Sequence, residues 1–262
     1  MNANANQYNG NSYGGVNGNN DVWKQADFYS NDAENGQQYK VIDHELNMRL
    51  GFIRKVYGIL SAQLLLTTLM CVLSITSKSY ATFQITHPAF LWVSIIASIV
   101  ILLAICCVPG VSRQVPLNYC LLFAFTFFEG YMVSALCAKT DPRLVLMAAA
   151  MTSAITIALT LYACTTKTDF TLYGSILFIC SCCLMLMGIF AMFFKFMHVV
   201  VCTLGIFLYA VYLVYDTQLM MGNKENSLDV EDYILGALML YLDIINMFIY
   251  ILNILKFISG DN

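Results

Sequence analysis

Seven apolar runs, each about twenty residues long, constrain the fold of this chain more than any other feature. A helix needs about 20 mostly apolar residues to cross a hydrocarbon core about 30 Å thick. Only short connections separate the runs, so no room is left between them for a folded soluble domain. The runs cover residues 56–76, 89–109, 117–138, 144–164, 171–194, 198–222 and 233–258. The sequence therefore predicts an all-α integral membrane protein, built as a bundle of seven transmembrane helices.

The composition agrees with a membrane protein and excludes a nucleic-acid-binding one. Of the 262 residues, 59% are hydrophobic and 11% are charged, against about 45–50% and about 25% in soluble domains. The net charge of −3 leaves no basic surplus for binding the phosphate backbone of a nucleic acid.

The cysteines do not indicate a disulfide scaffold, because most lie inside apolar runs, where we expect small buried hydrophobic side chains. These are Cys71, Cys120, Cys137, Cys164, Cys180, Cys182, Cys183 and Cys202.

The N-terminal segment differs from the rest of the chain. Residues 1–45 are rich in Asn, Gly, Gln, Ser and Tyr, and we predict that they form a disordered tail. Residues 46–262 are predicted to form the membrane domain. Basic residues before the first span, Arg49, Arg54 and Lys55, place the N-terminus in the cytosol. Seven full crossings put the C-terminus on the opposite side, whereas a last segment that only dips into the membrane returns it to the cytosol.

Three acidic residues lie inside the apolar runs: Glu129, Asp216 and Asp243. An ionisable side chain at the centre of a membrane helix costs about 2.5–3.5 kcal/mol on insertion scales, so such residues face the bundle interior or a wet cavity. At a rise of 1.5 Å per residue, Asp216 and Asp243 lie roughly 9 and 15 Å from the same membrane surface, and Glu129 lies near mid-membrane. We therefore expect an ion pathway or a pH-sensing site at these acids, although polar residues that merely join helices remain the alternative.

Other polar residues share the helix faces of the two aspartates. On the last span, Asp243, Asn246 and Tyr250 follow one helical stripe. On the span before it, Tyr212 precedes Asp216 by four residues and can supply a hydroxyl partner. We expect Tyr212, Asn246 and Tyr250 to line the site.

The chemistry of the site follows from charge. If the two aspartates meet in a dry interior, repulsion and desolvation favour a protonated form, and the pair becomes pH-responsive. Ca²⁺, which takes hard oxygen ligands, can replace that proton, so Asp216 and Asp243 are also candidate Ca²⁺ ligands. Arg113 lies on the same side of the membrane as Asp216 and is a candidate removable counter-charge.

The loop between the last two spans is acidic, and it can attract cations or be merely solvated. Its acidic residues are Glu225, Asp229, Glu231 and Asp232.

Four stretches resemble the Bax-inhibitor motif family, in its lifeguard branch. They are FIRKVYGILSAQLLLT at 52–67, FTFFEG at 125–130, VYDTQLMMG at 214–222 and DYILGALMLYLDIINMFIYIL at 232–252. The resemblance covers nearly everything after about residue 45. It implies a seven-span fold in which Asp216 and Asp243 form a diaspartyl pH sensor that governs a Ca²⁺ leak.

The resemblance implies further roles and a biological setting. An arginine latch of the family corresponds to Arg113, and Glu129 matches an acid of the third span. Ca²⁺ leak from an intracellular store, in the endoplasmic reticulum, Golgi or another endomembrane, then suppresses apoptosis. The plasma membrane is the other location considered. The expected partners are the lipid bilayer, Ca²⁺, H⁺ and regulators of cell death, and no cofactor is expected.

Alternative functions are less well supported by the motifs. An intramembrane aspartyl protease also uses two aspartates, but its GxGD motif is replaced here by LYLD at 240–243, and no proline follows Pro142. We therefore expect no enzymatic activity. Internal repeats typical of many transporters are not evident. A non-conducting membrane adaptor, which modulates cell-death signalling by binding partner proteins, remains the main alternative.

Overall fold

The computed structural model describes residues 20–108, 110–191, 193–222 and 226–260. The chain divides into two units, residues 1–47 and residues 48–262. In the first unit the described residues, from Asn20 onward, are helical. Much of the predicted tail, residues 1–19, lies outside the described residues. The packing that follows is that of the second unit.

Eight α-helices account for most of the described residues. They are α1 (Asn20–Thr76), α2 (Lys78–Thr86), α3 (Pro88–Cys107), α4 (Leu117–Ala138), α5 (Pro142–Thr165), α6 (Gly174–Ala191), α7 (Lys195–Met221) and α8 (Tyr233–Ser259). Short 3₁₀ turns at Val111–Arg113 and Phe170–Tyr173 precede α4 and α6.

Seven of these helices are long and apolar enough to cross a membrane: α1 over His44–Thr76, and α3 to α8. The predicted all-α, seven-span membrane architecture is confirmed. The span ends lie within three residues of the predicted ones, except that the first span begins at His44, twelve residues before the predicted start. Proline marks two of the beginnings, because Pro88 and Pro142 occupy the first turns of α3 and α5. The N–H that proline lacks has no helical partner at that position.

The short helix α2 is an element that the hydropathy pattern does not reveal. The sequence between the first two spans was interpreted as a loop, but Lys78–Thr86 is helical. Its Gln84 is buried, accepts a hydrogen bond from the Ser74 hydroxyl of α1, and donates one to Ser134 of α4 over 2.8 Å. A nine-residue helix has too few apolar residues to register as a span, and these three polar side chains hold it against the bundle.

Helix α8 is the centre of the bundle. In its most apolar stretch 67% of the residues are buried, whereas the corresponding share is 17% in α3, α5 and α6.

The expectation that cysteines in apolar runs are buried holds for Cys71, Cys137 and Cys202 but is wrong for others, which are exposed. The exposed ones are Cys120, Cys164, Cys180 and Cys183. Lipid tails are as apolar as a protein core, so an apolar sequence does not distinguish buried from lipid-facing positions.

Helices α7 and α8 run antiparallel and pack closely. Towards one end, Gly205 of α7 lies against the ring of Tyr250, and a Cβ atom at this glycine would come within 2.6 Å of that ring. Asp216, eleven residues later on α7, faces Asp243, which precedes Tyr250 by seven residues on α8. The absence of a side chain at Gly205 therefore sets how closely the two helices that carry the aspartates approach each other.

The end of α7 is held by an arginine from α1. Gly222 ends the helix in a left-handed conformation, with a φ of 72°. A side chain at this position would collide with the guanidinium of Arg49. Arg49 donates a hydrogen bond to the backbone oxygen of Leu228 over 2.7 Å, and its longer contact reaches the oxygen of Met220 over 3.5 Å. The arginine thus joins α1 to a carbonyl group in the last turn of α7, which the helix leaves without a partner, and to the loop that follows α7.

We predict that Gly205→Ala destabilises the protein, because the new methyl group overlaps the Tyr250 ring. Overpacking of this kind costs about 1–3 kcal/mol of the free energy of unfolding. The matched control is Gly188→Ala on α6, where a Cβ atom meets nothing within 4 Å and the better helix former gains up to about 1 kcal/mol. Thermal unfolding in detergent measures both, and equal melting temperatures for the two variants would contradict the prediction.

Candidate functional site

The structure brings Asp216 and Asp243 together in the interior of the bundle. Their exposed fractions are 4% and 3%, and their carboxyl groups lie within hydrogen-bonding reach of each other. This contact places Asp216, five residues before the end of α7, at the same level as Asp243, ten residues after the start of α8. Two of the three acids that lie inside the apolar runs of the sequence therefore share one site.

The pair is short of hydrogen-bond donors. Oδ1 of Asp216 and Oδ2 of Asp243 are buried, and neither accepts a hydrogen bond from another group in the described part of the chain. Buried carboxylates are normally paired or hydrogen-bonded, because charge without a partner is costly in a medium of low polarity. Two such oxygen-rich groups in contact can share a proton or accept a hard cation.

Tyrosine rings form a layer next to the pair. Successive ring centroids are 5.8 Å apart for Tyr250 and Tyr209, 6.0 Å for Tyr209 and Tyr212, and 6.5 Å for Tyr212 and Tyr215. Tyr212 lies within electrostatic range of both aspartates, and its hydroxyl is within reach of Ser181 on α6. The structure thus places Tyr212 beside the pair and Tyr250 in the same aromatic layer, against Tyr209.

Asn246 contributes less to the site than its place on the polar stripe suggests. Its side-chain nitrogen donates a hydrogen bond to the backbone oxygen of Leu242, in its own helix, over 2.8 Å. Asn253 does the same with Ile249 over 2.9 Å. Both amides direct a donor to their own helix and not to the carboxylates.

Glu129 of α4 lies apart from the aspartate pair. It is half-buried, and no described residue donates a hydrogen bond to it. It lies within electrostatic range of Tyr209 and Tyr241. Tyr209 is also within electrostatic range of Asp243. This tyrosine therefore interacts both with the acid of the third span and with the aspartate pair.

A buried polar network joins α1, α4 and α8, and the sequence analysis did not identify it. The amide nitrogen of Gln63 donates to the Thr126 hydroxyl over 2.9 Å, and the hydroxyls of Thr67 and Tyr241 are 2.8 Å apart. Gln63, Thr126 and Tyr241 are completely buried. A glutamine in the middle of the first apolar run was the available signal, since neutral amides at that depth also need partners.

Arg113 binds the loop between α7 and α8. Its guanidinium contacts Asp232 over 2.7 Å, Asp229 over 2.9 Å and Glu231 over 3.5 Å. The neighbouring carboxylates, Asp232 first, raise the pKa of Arg113 further above its ordinary value. The pairing of Arg113 with Asp216 that the sequence suggested is not the one observed, because the loop acids lie closer to the connection before α4. Glu225 lies outside the described residues.

The start of α8 has further anchors near this arginine. The Lys55 ammonium lies 3.1 Å from the centroid of the Tyr233 ring, a cation–π contact. The Tyr233 hydroxyl accepts a hydrogen bond from the side chain of Asn118 over 3.1 Å. Helix α8 therefore begins in a set of contacts from α1, α4 and the Arg113 turn, and these contacts fix where Asp243 lies.

Comparison with known proteins identifies relatives that span most of the chain. Residues 49–260 match the family model described as inhibitor of apoptosis-promoting Bax1. Protein lifeguard 4 of Mus musculus is 37% identical over 225 residues, which cover 85% of this chain and 90% of the relative. Protein lifeguard 3 of Homo sapiens is 32% identical, covering 79% of this chain and 69% of the relative. A BI1-like protein of Arabidopsis thaliana is 36% identical, covering 83% and 84%.

We predict that Arg113→Gln loosens the loop between α7 and α8, because it removes the charge that binds Asp229 and Asp232. Backbone amides of residues 226–232 should exchange hydrogen faster than in the wild type, and high salt should produce part of the same change by screening these exposed pairs. Arg143→Gln, which replaces an exposed arginine in the first turn of α5, is the matched control. Identical exchange in wild type and Arg113→Gln would show that the contacts do not order the loop.

Proposed function

The chain belongs to the Bax inhibitor family, and we propose that it is a pH-sensitive Ca²⁺ leak channel or Ca²⁺/H⁺ exchanger of an intracellular membrane. The observation that supports this proposal most directly is the contact between the buried carboxyl groups of Asp216 and Asp243. We further propose that the flux restrains cell death. The family description and the name lifeguard, carried by two of the relatives, agree with a protective role of this kind.

The chemistry of the pair explains how pH would control Ca²⁺. Carboxylate oxygens are preferred Ca²⁺ ligands, and Ca²⁺ binds them in their ionised form. Protons and Ca²⁺ therefore compete for the same oxygens. Acid favours the protonated pair, which does not attract a cation, so the proposed flux is lower at pH 6 than at pH 8.

The surroundings of the pair fit a route for a cation. In one direction from the aspartate pair, the tyrosines Tyr212, Tyr209 and Tyr250 supply hydroxyl groups. Glu129 interacts with Tyr209 and so continues this row of oxygen-bearing side chains. In the other direction, helix α8 leads to the loop acids that Arg113 binds. With the N-terminus in the cytosol, this Arg113 cluster lies at the cytosolic end, where its release would open the site to that compartment.

Catalysis is not part of the proposal. Hydrolysis by a pair of aspartates needs room for a substrate peptide and a water molecule beside the carboxyl groups. Here both carboxyl groups are almost fully buried among the side chains of α7 and α8.

The endoplasmic reticulum or the Golgi is the proposed location, since a leak of the proposed kind requires a Ca²⁺ store.

We predict that Asp216→Asn, Asp243→Asn and the double variant all abolish the pH dependence of Ca²⁺ flux. Purified protein in liposomes is tested across pH 6 to 8, and the wild type should conduct less in acid. If the two carboxyl groups act as one unit, each single variant should alter the profile about as far as the double variant does.

Asp141→Asn is the matched control for that experiment. It removes the same charge at the exposed start of α5, and asparagine caps a helix as well as aspartate does. Its pH profile should equal that of the wild type. If folded wild-type protein gives no flux above empty liposomes, conduction is refuted, and a non-conducting adaptor that binds regulators of cell death becomes the better account.

A further inference from the structure

A lateral cleft between α1 and α5 is independent of the aspartate site. It encloses about 480 Å³ and is lined by matching faces of the two helices, from Leu64 to Ile75 on α1 and from Pro142 to Ser153 on α5. Ile245 and Phe248 of α8 form part of its floor, together with Val133 of α4. The rim is open, because Val72 and Leu146 are 49% and 72% exposed.

The cleft opens towards the membrane and not towards water. Its rim residues belong to membrane-spanning helices, so the groups that surround them are lipid tails. Each helix lines the cleft over eleven residue steps, which corresponds to a length of about 16 Å. This length matches one leaflet of the hydrocarbon core, which is about 15 Å thick. The cleft therefore runs from one end of the bundle to about mid-membrane.

The lining of the cleft favours a purely apolar occupant. No charged residue lines it, and three of its hydroxyl groups already have partners within the protein. Thr152 and Ser153 donate to backbone oxygens of their own helix over 2.8 Å, and the Thr67 hydroxyl is bonded to Gln63 and Tyr241. The fourth hydroxyl, that of Thr68, lies at the exposed rim, so the floor of the cleft offers a polar headgroup no free hydroxyl donor.

The shape of the cleft suits a narrow occupant. It follows the faces of two neighbouring helices over about 16 Å and has a volume of about 480 Å³. A single acyl chain can lie along it, whereas a helix with its side chains is about 10 Å wide. At the outer end of the cleft, Lys139 and Arg143 are exposed beside Pro142, where the phosphate of a lipid headgroup would lie. Asp141 is exposed between them in sequence, so the net charge of this segment is +1.

We propose that the cleft binds one acyl chain of a glycerophospholipid, whose phosphate lies at the level of Lys139 and Arg143. The bound chain completes the packing of α1, α5 and α8, which leave this volume unfilled by side chains. The site is separate from the proposed Ca²⁺ route, so loss of Ca²⁺ flux would not affect the assignment.

The test uses the full chain in vesicles of phosphatidylcholine and phosphatidylglycerol, with a trace of phospholipid that carries a photoreactive diazirine on its acyl chain. After illumination, labelled residues are mapped by mass spectrometry. Labelling should concentrate on the rim residues Thr68, Val72 and Leu146. Labelling spread evenly over all lipid-facing residues, such as Phe178 of α6, would overturn the proposal.

A filled cleft provides the second arm of the test. Ala149 lines the cleft, and Ala149→Trp should occupy its volume and abolish most of the labelling at Thr68 and Val72. The matched control is Ile157→Trp, on the same helix at a position that is 62% exposed outside the cleft. It should label as the wild type does. Unchanged labelling in Ala149→Trp would refute a bound lipid chain.

Discussion

Hydrocarbon offers no hydrogen-bond partner, and the polar interior of this protein is organised by that constraint. Side chains that cannot be satisfied by the membrane pair with one another across helices, as Gln63 does with Thr126 and Thr67 with Tyr241. Others, such as Asn246, turn to a carbonyl of their own helix. Helix α8, which carries Tyr241 and Asp243, is also the most buried of the spans.

The aspartate pair is one place where this rule is only half satisfied. Asp216 and Asp243 reach each other, yet one oxygen of each has no donor from any other described residue. Two carboxyl groups in contact can exist in more than one charge state, and each state has a different affinity for cations. In the described part of the chain, Oε1 of Gln63 and the hydroxyls of Tyr131 and Thr156 are also buried without a partner. The aspartate pair differs from these neutral groups because its carboxyl groups can ionise, and this difference favours a functional role at that position.

Charges outside the hydrocarbon serve a different purpose. Arg113, Asp229 and Asp232 join the turn before α4 to the loop before α8. Asp232 precedes Asp243 by eleven residues, so the exposed cluster and the buried pair are about 16 Å apart along one rigid helix. Any movement that separates Arg113 from the loop can therefore be transmitted along α8 to Asp243.

The sequence by itself determined the seven spans, most of their ends, the family resemblance and the three acids inside the spans, because hydrophobicity and intramembrane charge are local properties. It did not reveal the helix α2, whose Gln84 is held by serines on two other helices. It misplaced several cysteines, since lipid-facing and buried positions have the same apolar composition. It also assigned Arg113 to Asp216, where the structure pairs it with Asp232. Which polar side chains meet depends on how the helices rotate and pack, and only the tertiary structure decided that.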